Sequence, residues 1–390
     1  MSTQYEQREI DLPSPWVRGP AWDGFWIFSA LWLTPLVLWL VFVYSDAEYS
    51  PVDLLYFALI ALFWIGHRLS SSYLAYCTEA YRPLLRSQPV RFIVLPLLVT
   101  IACFAFFLPS DAALPWSRAE RLVALAIIDY FFVTYHFATQ HFGALSLYRA
   151  RAGRSTCRFT RNMDRLFALG VGGVLVILSD VLAGSVAYQE QWLGHWDFSI
   201  SLVSAQDGLR MGATVVLLAV TGAVVVLELR APQWSLPRIL YVLGLAAMVI
   251  VALNLRSPFL FILIWNAQHW LLAMGLASRV PVAEPAPARG VLRQILHGLN
   301  TRPWAILGVL ATVSVLLLPV FEVEANRSGG TYYGDWIYGE FVTGLRSSSW
   351  VPALVALGFA TGFIHYLLDR SVYRMSNAQV RTAARGLLSR

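Results

Sequence analysis

The stretch that decides the fold is PFLFILIWNAQHWLLAMGLA, residues 258–277, which carries no charged residue from end to end. A transmembrane helix needs about 20 predominantly apolar residues, and this run supplies them. At its centre sits His269. Ionisable groups inside a membrane are costly, so they face the bundle interior or serve a function. Two questions follow: how many such runs the chain holds, and whether others carry histidine.

Outward from this run, further apolar segments lie at 24–44, 53–77, 91–109, 120–148, 165–186, 208–229, 236–256, 303–321 and 350–373. The composition agrees, with 57% hydrophobic and 13% charged residues against about 25% charged in soluble domains. The fold class is therefore an all-α, polytopic membrane bundle of about ten helices. It divides into an N-terminal segment (1–22), a transmembrane domain (23–373) and a basic C-terminal tail (374–390).

Short arginine-rich loops stay cytoplasmic, and every second loop here is basic. Arg82 and Arg86 follow the second run, Arg149, Arg151, Arg154, Arg158 and Arg161 the fourth, Arg230 and Arg238 the sixth, and Arg279, Arg289 and Arg293 the eighth. The intervening loops carry Asp46 and Glu48, Asp111, Glu190 and Asp197, then Glu322, Glu324, Asp335 and Glu340. An even count with both termini cytoplasmic satisfies this alternation. It requires a tight outer turn at Arg256-Ser257-Pro258, since a single bent helix there would put basic loops on opposite sides. The reading places the chain in a bacterial inner (plasma) membrane.

Other classes recede. The net charge of +6 comes from arginines dispersed in loops rather than on one polar module, so no nucleic-acid partner is expected. Cys77, Cys103 and Cys157 form no CxxC pair, which argues against a disulfide scaffold or zinc ribbon. The first 22 residues lack the basic start and apolar core of a signal peptide, and none is expected to be removed. The loop at 278–301, with Pro281, Pro285 and Pro287, and that at 322–349 read as connectors.

Of seven histidines, His195 and His297 fall in loop segments, while His67, His136, His141, His269 and His365 fall inside the second, fourth, eighth and tenth runs. These runs all descend in one direction. At a rise of ~1.5 Å per residue, His67, His136 and His365 lie about 20 to 24 Å below their outer ends, and His269 about 17 Å. His141 counts deeper from above yet fits when measured from the inner arginines. Helical spacing puts Asp129, His136, Gln140 and Gly143 on one face, with His141 about 140° round from His136. One regular helix cannot aim both at one centre, so either one is the ligand or a π-bulge joins them. Asn266, His269 and Ala273 share a second stripe, and Gly358, Gly362, His365 and Asp369 a third. Arg68, beside His67, needs an internal carboxylate such as Asp129 or Asp369, or backbone acceptors.

Histidine from four helices at one depth suits a metal ion. Imidazole ligates iron, copper and zinc, and Asn266, Gln140 and Asp369 are the kind of groups that orient ligand rings. Fe(II) is the preferred ion; zinc, copper and haem are the alternatives. Trp64, Tyr135, Trp265, Trp270 and Tyr366 could wall an apolar tunnel.

The strings QHFGALSLYR around His141 and IHYLLDRSVYR around His365 resemble the His-Phe-Gly and His-plus-Asp segments of the Brp/Blh membrane beta-carotene dioxygenases. The resemblance implies one non-haem iron held by His67, His141, His269 and His365, and oxidative cleavage of a carotenoid. The HxxxH and HxxHH boxes of membrane fatty-acid desaturases are absent. Three functions are thus in play. The first is a dioxygenase-like oxidoreductase acting on an apolar carotenoid or isoprenoid partner. The second is a transporter or proton-coupled carrier using His67, His136, Asp129, Arg68 and Asp369, and the third a bis-histidine haem protein.

Overall fold

The computed structural model describes residues 14–44, 50–153, 157–182, 199–283, 290–325, 332–347 and 349–388. The expectations at Asp46, Glu48, Arg154, Glu190, His195, Asp197, Pro285, Pro287, Arg289 and Arg390 lie outside these residues. Among the described residues there is no strand. The helices are α1 (Pro20–Trp26), α2 (Ala30–Val43), α3 (Pro51–Cys77), α4 (Arg82–Ser87), α5 (Val90–Phe107), α6 (Arg118–Arg151), α7 (Arg158–Asp180) and α8 (Ser199–Leu229). They continue with α9 (Leu236–Asn254), α10 (Pro258–Arg279), α11 (Val291–Asn300), α12 (Pro303–Ala325), α13 (Gly334–Tyr338), α14 (Glu340–Ser347), α15 (Val351–Val372) and α16 (Ala378–Ala383). Nine of the described helices are long and apolar enough to cross a membrane, and the bent pair α1–α2 makes up to ten. This is a multi-pass membrane protein.

The opening stretch forms α10, the innermost helix: every residue from 267 to 280 is buried. A helix apolar on all sides belongs in a core, and small residues let its neighbours approach. A Cβ on Gly275 would overlap Trp26 of α1. The first run, expected as one helix over 24–44, instead bends by 53° between α1 and α2. At the bend Ile27 and Phe28 are buried against the core, and Ser29 Oγ donates to Gln268 O at 3.5 Å.

The turn at 255–257 separates α9 from α10. Leu255 leaves helical geometry (φ −68°, ψ 142°), Ser257 Oγ accepts from Leu260 N at 3.3 Å, and Pro258 opens α10. Proline suits the first turn of a helix because its missing N–H would be unsatisfied there anyway. The two ends of the described chain also meet. Arg151 Nε donates to Ser14 O at 3.1 Å and its Nη1 to Leu387 O at 2.7 Å, so both ends lie beside the C-terminal end of α6. The residues after α15, read as a tail, fold back through α16 with Val380, Ala383, Ala384 and Leu387 buried.

The loop read at 322–349 is shorter than expected, because α12 extends through Glu322 and Glu324, while Asp335 and Glu340 fall in α13 and α14. Glu322 is buried and accepts from Tyr333 N at 2.8 Å and Gly334 N at 2.7 Å, pinning α13 to the end of α12. The sequence reading placed Glu322 and Glu324 in the loop after the ninth apolar run; backbone N–H groups at Glu322 and Arg68 at Glu324 hold them inside.

Within α3, residues Ile60–Trp64 form a π turn. A π turn leaves backbone groups to be satisfied by other means. Here Ser314 of α12 does so, its Oγ accepting from Ile65 N at 3.2 Å and lying 3.5 Å from Ile60 O. Gly66 follows, where a Cβ would stand 2.7 Å from Leu310 O and 3.1 Å from its carbonyl carbon. That neighbour is backbone and cannot rotate away. Gly66→Val is therefore expected to force α3 and α12 apart at a cost of about 1–3 kcal/mol or more, read as a lower melting temperature in detergent. His67, the next residue, would move with it.

Candidate metal centre

Four helices bring one histidine each to a common point: His67 from α3, His136 from α6, His269 from α10 and His365 from α15. All four are buried. Neighbouring ring centroids lie 4.9 Å (His67–His269), 4.8 Å (His67–His365), 4.9 Å (His136–His269) and 4.7 Å (His136–His365) apart, with the rings edge-on. His269 and His365 face each other across 6.4 Å. With metal–nitrogen bonds of about 2.0–2.1 Å, ring centroids sit about 3.2 Å from an ion, giving about 4.5 Å between rings at right angles and about 6.4 Å between opposed ones. Neighbouring rings are thus spaced much as imidazoles around one ion would be, with the candidate donors falling into two overlapping sets of three. Candidate ligand atoms of His67, His269 and His365 lie within 4.8 Å of one another, as do those of His136, His365 and Asp369.

The outer nitrogens explain the orientation. His67 Nδ1 lies 2.6 Å from Trp64 O, the last carbonyl of the π turn. His269 Nδ1 lies 2.6 Å from Gln140 Oε1, and His365 Nδ1 lies 3.3 Å from Ser71 Oγ. A carbonyl can only accept, so Nδ1 of His67 and of His269 carries the proton and Nε2 keeps its lone pair. Nε2 of His136, His269 and His365 and Oδ1 of Asp369 are buried without a hydrogen-bond partner. Leaving one such group unsatisfied costs about 1–3 kcal/mol, and several in one place point to a ligand.

Asp369 lies between two of the rings, its Oδ2 3.7 Å from His136 Nε2 and its Oδ1 3.7 Å from His365 Nδ1. Gln140 stands behind His269, on the face of α6 that the helical spacing assigned to it. Asn266 is half-buried and makes no hydrogen bond to any of the four histidines. Asp129 accepts from Tyr366 Oη at 3.1 Å, one step from the ring, since Tyr366 lies 5.0 Å from His136.

His141 stands apart. Helix α6 is continuous α from Arg118 to Arg151, so no bulge brings the two histidines together; π turns fall in α3, α5 and α7 instead. His141 Nδ1 is hydrogen-bonded to Tyr241 Oη at 2.6 Å, and its ring lies 5.7 Å from Trp265. A Cβ on Gly172 of α7 would come within 2.6 Å of that ring. The histidine that the Brp/Blh resemblance singles out thus packs between α6, α7 and α9, and His136 occupies the place in the ring.

Arg68 pairs with a carboxylate that the sequence reading did not name for it. Its Nη1 lies 3.5 Å from Glu324 Oε2 and donates to Gly358 O at 3.2 Å. Its guanidinium also neighbours Asp129 around Gly362, whereas Asp369 is turned to the histidines. Of the aromatics, Trp270 stacks near His67 at 6.0 Å, Tyr366 flanks His136, and Trp64 lies under Arg68 at 5.5 Å. Tyr135 faces outward, 46% exposed beneath Arg370. Phe137, 3.9 Å from the His269 ring, and Ser71 were not anticipated as neighbours, though Ser71 is one helical turn from His67 and its spacing allowed it.

Gln140→Leu keeps the shape behind His269 while removing its acceptor. Loss of a partner that orients a ligand typically costs 10–100-fold in metal affinity, and that range is expected in a competitive chelator titration. Comparison with family models, with characterised proteins and with solved structures finds no match to this chain, so its function is read from the site itself.

Proposed function

We propose that the chain is a membrane-embedded, histidine-ligated non-haem iron oxygenase acting on a lipid-soluble, isoprenoid-like substrate. The observation that carries this reading is the convergence of four buried imidazoles from four helices, three of them, His136, His269 and His365, with an unpartnered Nε2. Four histidines with Asp369 beside them offer more donors than the tetrahedral set zinc favours, and nitrogen with carboxylate suits Fe(II). Haem fits poorly: with one opposed pair as axial ligands, the plane a macrocycle needs is filled by the other two imidazoles.

Iron held there would supply the one-electron chemistry by which dioxygen attacks an unactivated double bond. The chain's own residues do the rest. Trp64 O and Gln140 hold their rings in one tautomer, and the wall of Phe137, Trp270 and Tyr366 excludes water. Tyr366 keeps its hydroxyl proton directed at Asp129. The ring lies within apolar helices, so an apolar substrate dissolved in the bilayer is the partner it favours, in keeping with the Brp/Blh resemblance of the segment around His365.

Purified from cells grown with iron, the protein is expected to contain about one iron per chain and to consume dioxygen when given a carotenoid. Protein lacking stoichiometric metal would overturn the proposal. The buried Arg68–Glu324 pair favours a second reading, a proton-coupled carrier. Uptake driven by a pH gradient into proteoliposomes holding metal-free protein would select it.

A further inference from the structure

At the arginine-rich end, away from the histidines, a wide, open surface cavity of about 560 Å³ lies among Glu79, Arg82, Pro83, Arg86, Ser87 and Arg293. Its lining comes from the turn after α3, from α4 and from α11, all close to the ends of membrane spans and so at headgroup level. Three guanidinium groups face one carboxylate. Glu79 Oε1 lies 3.2 Å from Arg82 and 3.8 Å from Arg293, tying α11 to the α3–α4 turn. Arg86 is exposed and makes no ion pair among the described residues. The excess positive charge is thus built into one pocket.

Beside it, α11 shows an unusual surface. Its apolar residues Val291, Leu292, Ile295, Leu296 and Leu299 follow a helical stripe, yet Val291, Leu292 and Ile295 are 74%, 69% and 55% exposed. The helix is held at its far end, where Asn300 Nδ2 donates to Cys77 O at 3.1 Å and Asn300 Oδ1 accepts from Tyr73 Oη at 2.6 Å. A short amphipathic helix with arginine on its polar side and a bare apolar side lies in the membrane interface.

We propose that this cavity binds the phosphate headgroup of an anionic phospholipid, with an acyl chain along Val291, Leu292 and Ile295. Arginine matches phosphate by charge and by paired donors. The adjoining apolar stripe favours a lipid over a free anion, because a soluble phosphate would leave it bare. An acidic protein segment is the competing occupant, and it would have to displace bilayer from the same face.

The test uses the full-length protein, delipidated in mild detergent, with phosphatidylglycerol and phosphatidylcholine as probes and native mass spectrometry as readout. Wild type is expected to retain phosphatidylglycerol at least tenfold better. Each arginine near an anionic lipid contributes roughly fivefold, so Arg82→Gln/Arg86→Gln/Arg293→Gln together should cost about a hundredfold. The control Arg158→Gln/Arg161→Gln should leave retention unchanged. Glu79→Gln removes the one opposing charge and should raise retention several-fold, a gain that misfolding cannot mimic. Equal retention of both lipids, an unaffected triple variant, or weaker binding in a normally melting Glu79→Gln protein would overturn the proposal. So would displacement of the lipid by millimolar inorganic phosphate, which would mark a free-anion site, or recovery of the lipid-free protein with an acidic polypeptide in the cavity.

Discussion

His136→Ala is expected to empty the metal centre, and His141→Ala to leave it loaded. The two residues are five apart on one helix and both are buried, so burial alone does not separate them. Their directions do. His136 lies 4.9 Å and 4.7 Å from the rings of His269 and His365, whereas His141 is committed to Tyr241 Oη. Loss of a ligand should exceed the ~100-fold in affinity that loss of a supporting partner costs. His67→Ala, His269→Ala and His365→Ala should behave like His136→Ala. His141→Ala strands a buried tyrosine hydroxyl, a penalty of about 1–3 kcal/mol, and should appear as a lower melting temperature at unchanged metal content. Metal analysis and a thermal melt on the same samples read both outcomes. Metal loss in His141→Ala with retention in His136→Ala would reverse the assignment.

Asp164→Ala is expected to produce the largest loss of stability. Asp164 is wholly buried on α7 and forms ion pairs with Arg149 of α6 and Arg238 of α9, whose side chains are only 4% and 5% exposed. Removing one member of a buried charge network costs about 3–5 kcal/mol, because the remaining charges are left without compensation. Arg238 keeps Glu228 at 3.1 Å, and Arg149 keeps Thr160 O at 3.3 Å, so the effect should fall inside that range. Since the cost lies in the stranded guanidinium, adding Arg149→Met to Asp164→Ala should recover part of it. A detergent melt of the single and double variants measures this. Additive losses would show that the pairing contributes little. Metal content of the folded fraction should be unaffected, because Arg149 is 13 residues, about 20 Å, along α6 from His136.

The division of labour between sequence and fold follows from what each physical signal encodes. Apolar run length and arginine bias depend on transfer between water and lipid, which acts residue by residue and needs no knowledge of neighbours. That is why α3, α5, α6, α9, α10, α12 and α15 all fall where the runs at 53–77 through 350–373 put them, and why α9 and α10 part at Ser257. Helical periodicity likewise placed Gln140 on the His136 face. The 53° bend between α1 and α2 escaped, because it is set by tertiary contacts at the bend, where Phe28 packs near Tyr148 of α6 and Tyr241 of α9 and Ser29 Oγ donates to Gln268 O of α10.

By itself, then, the sequence determined a polytopic helical bundle and a layer of histidines on four of its helices. Only the tertiary structure decided which histidine of α6 joins the other three, that Trp64 O and Gln140 orient their rings, and that Glu324 rather than Asp369 meets Arg68. Depth along a helix is fixed by the chain's own rise, whereas rotation about the axis and the choice of partner are fixed by close packing between helices. A single sequence does not encode that packing as any local pattern.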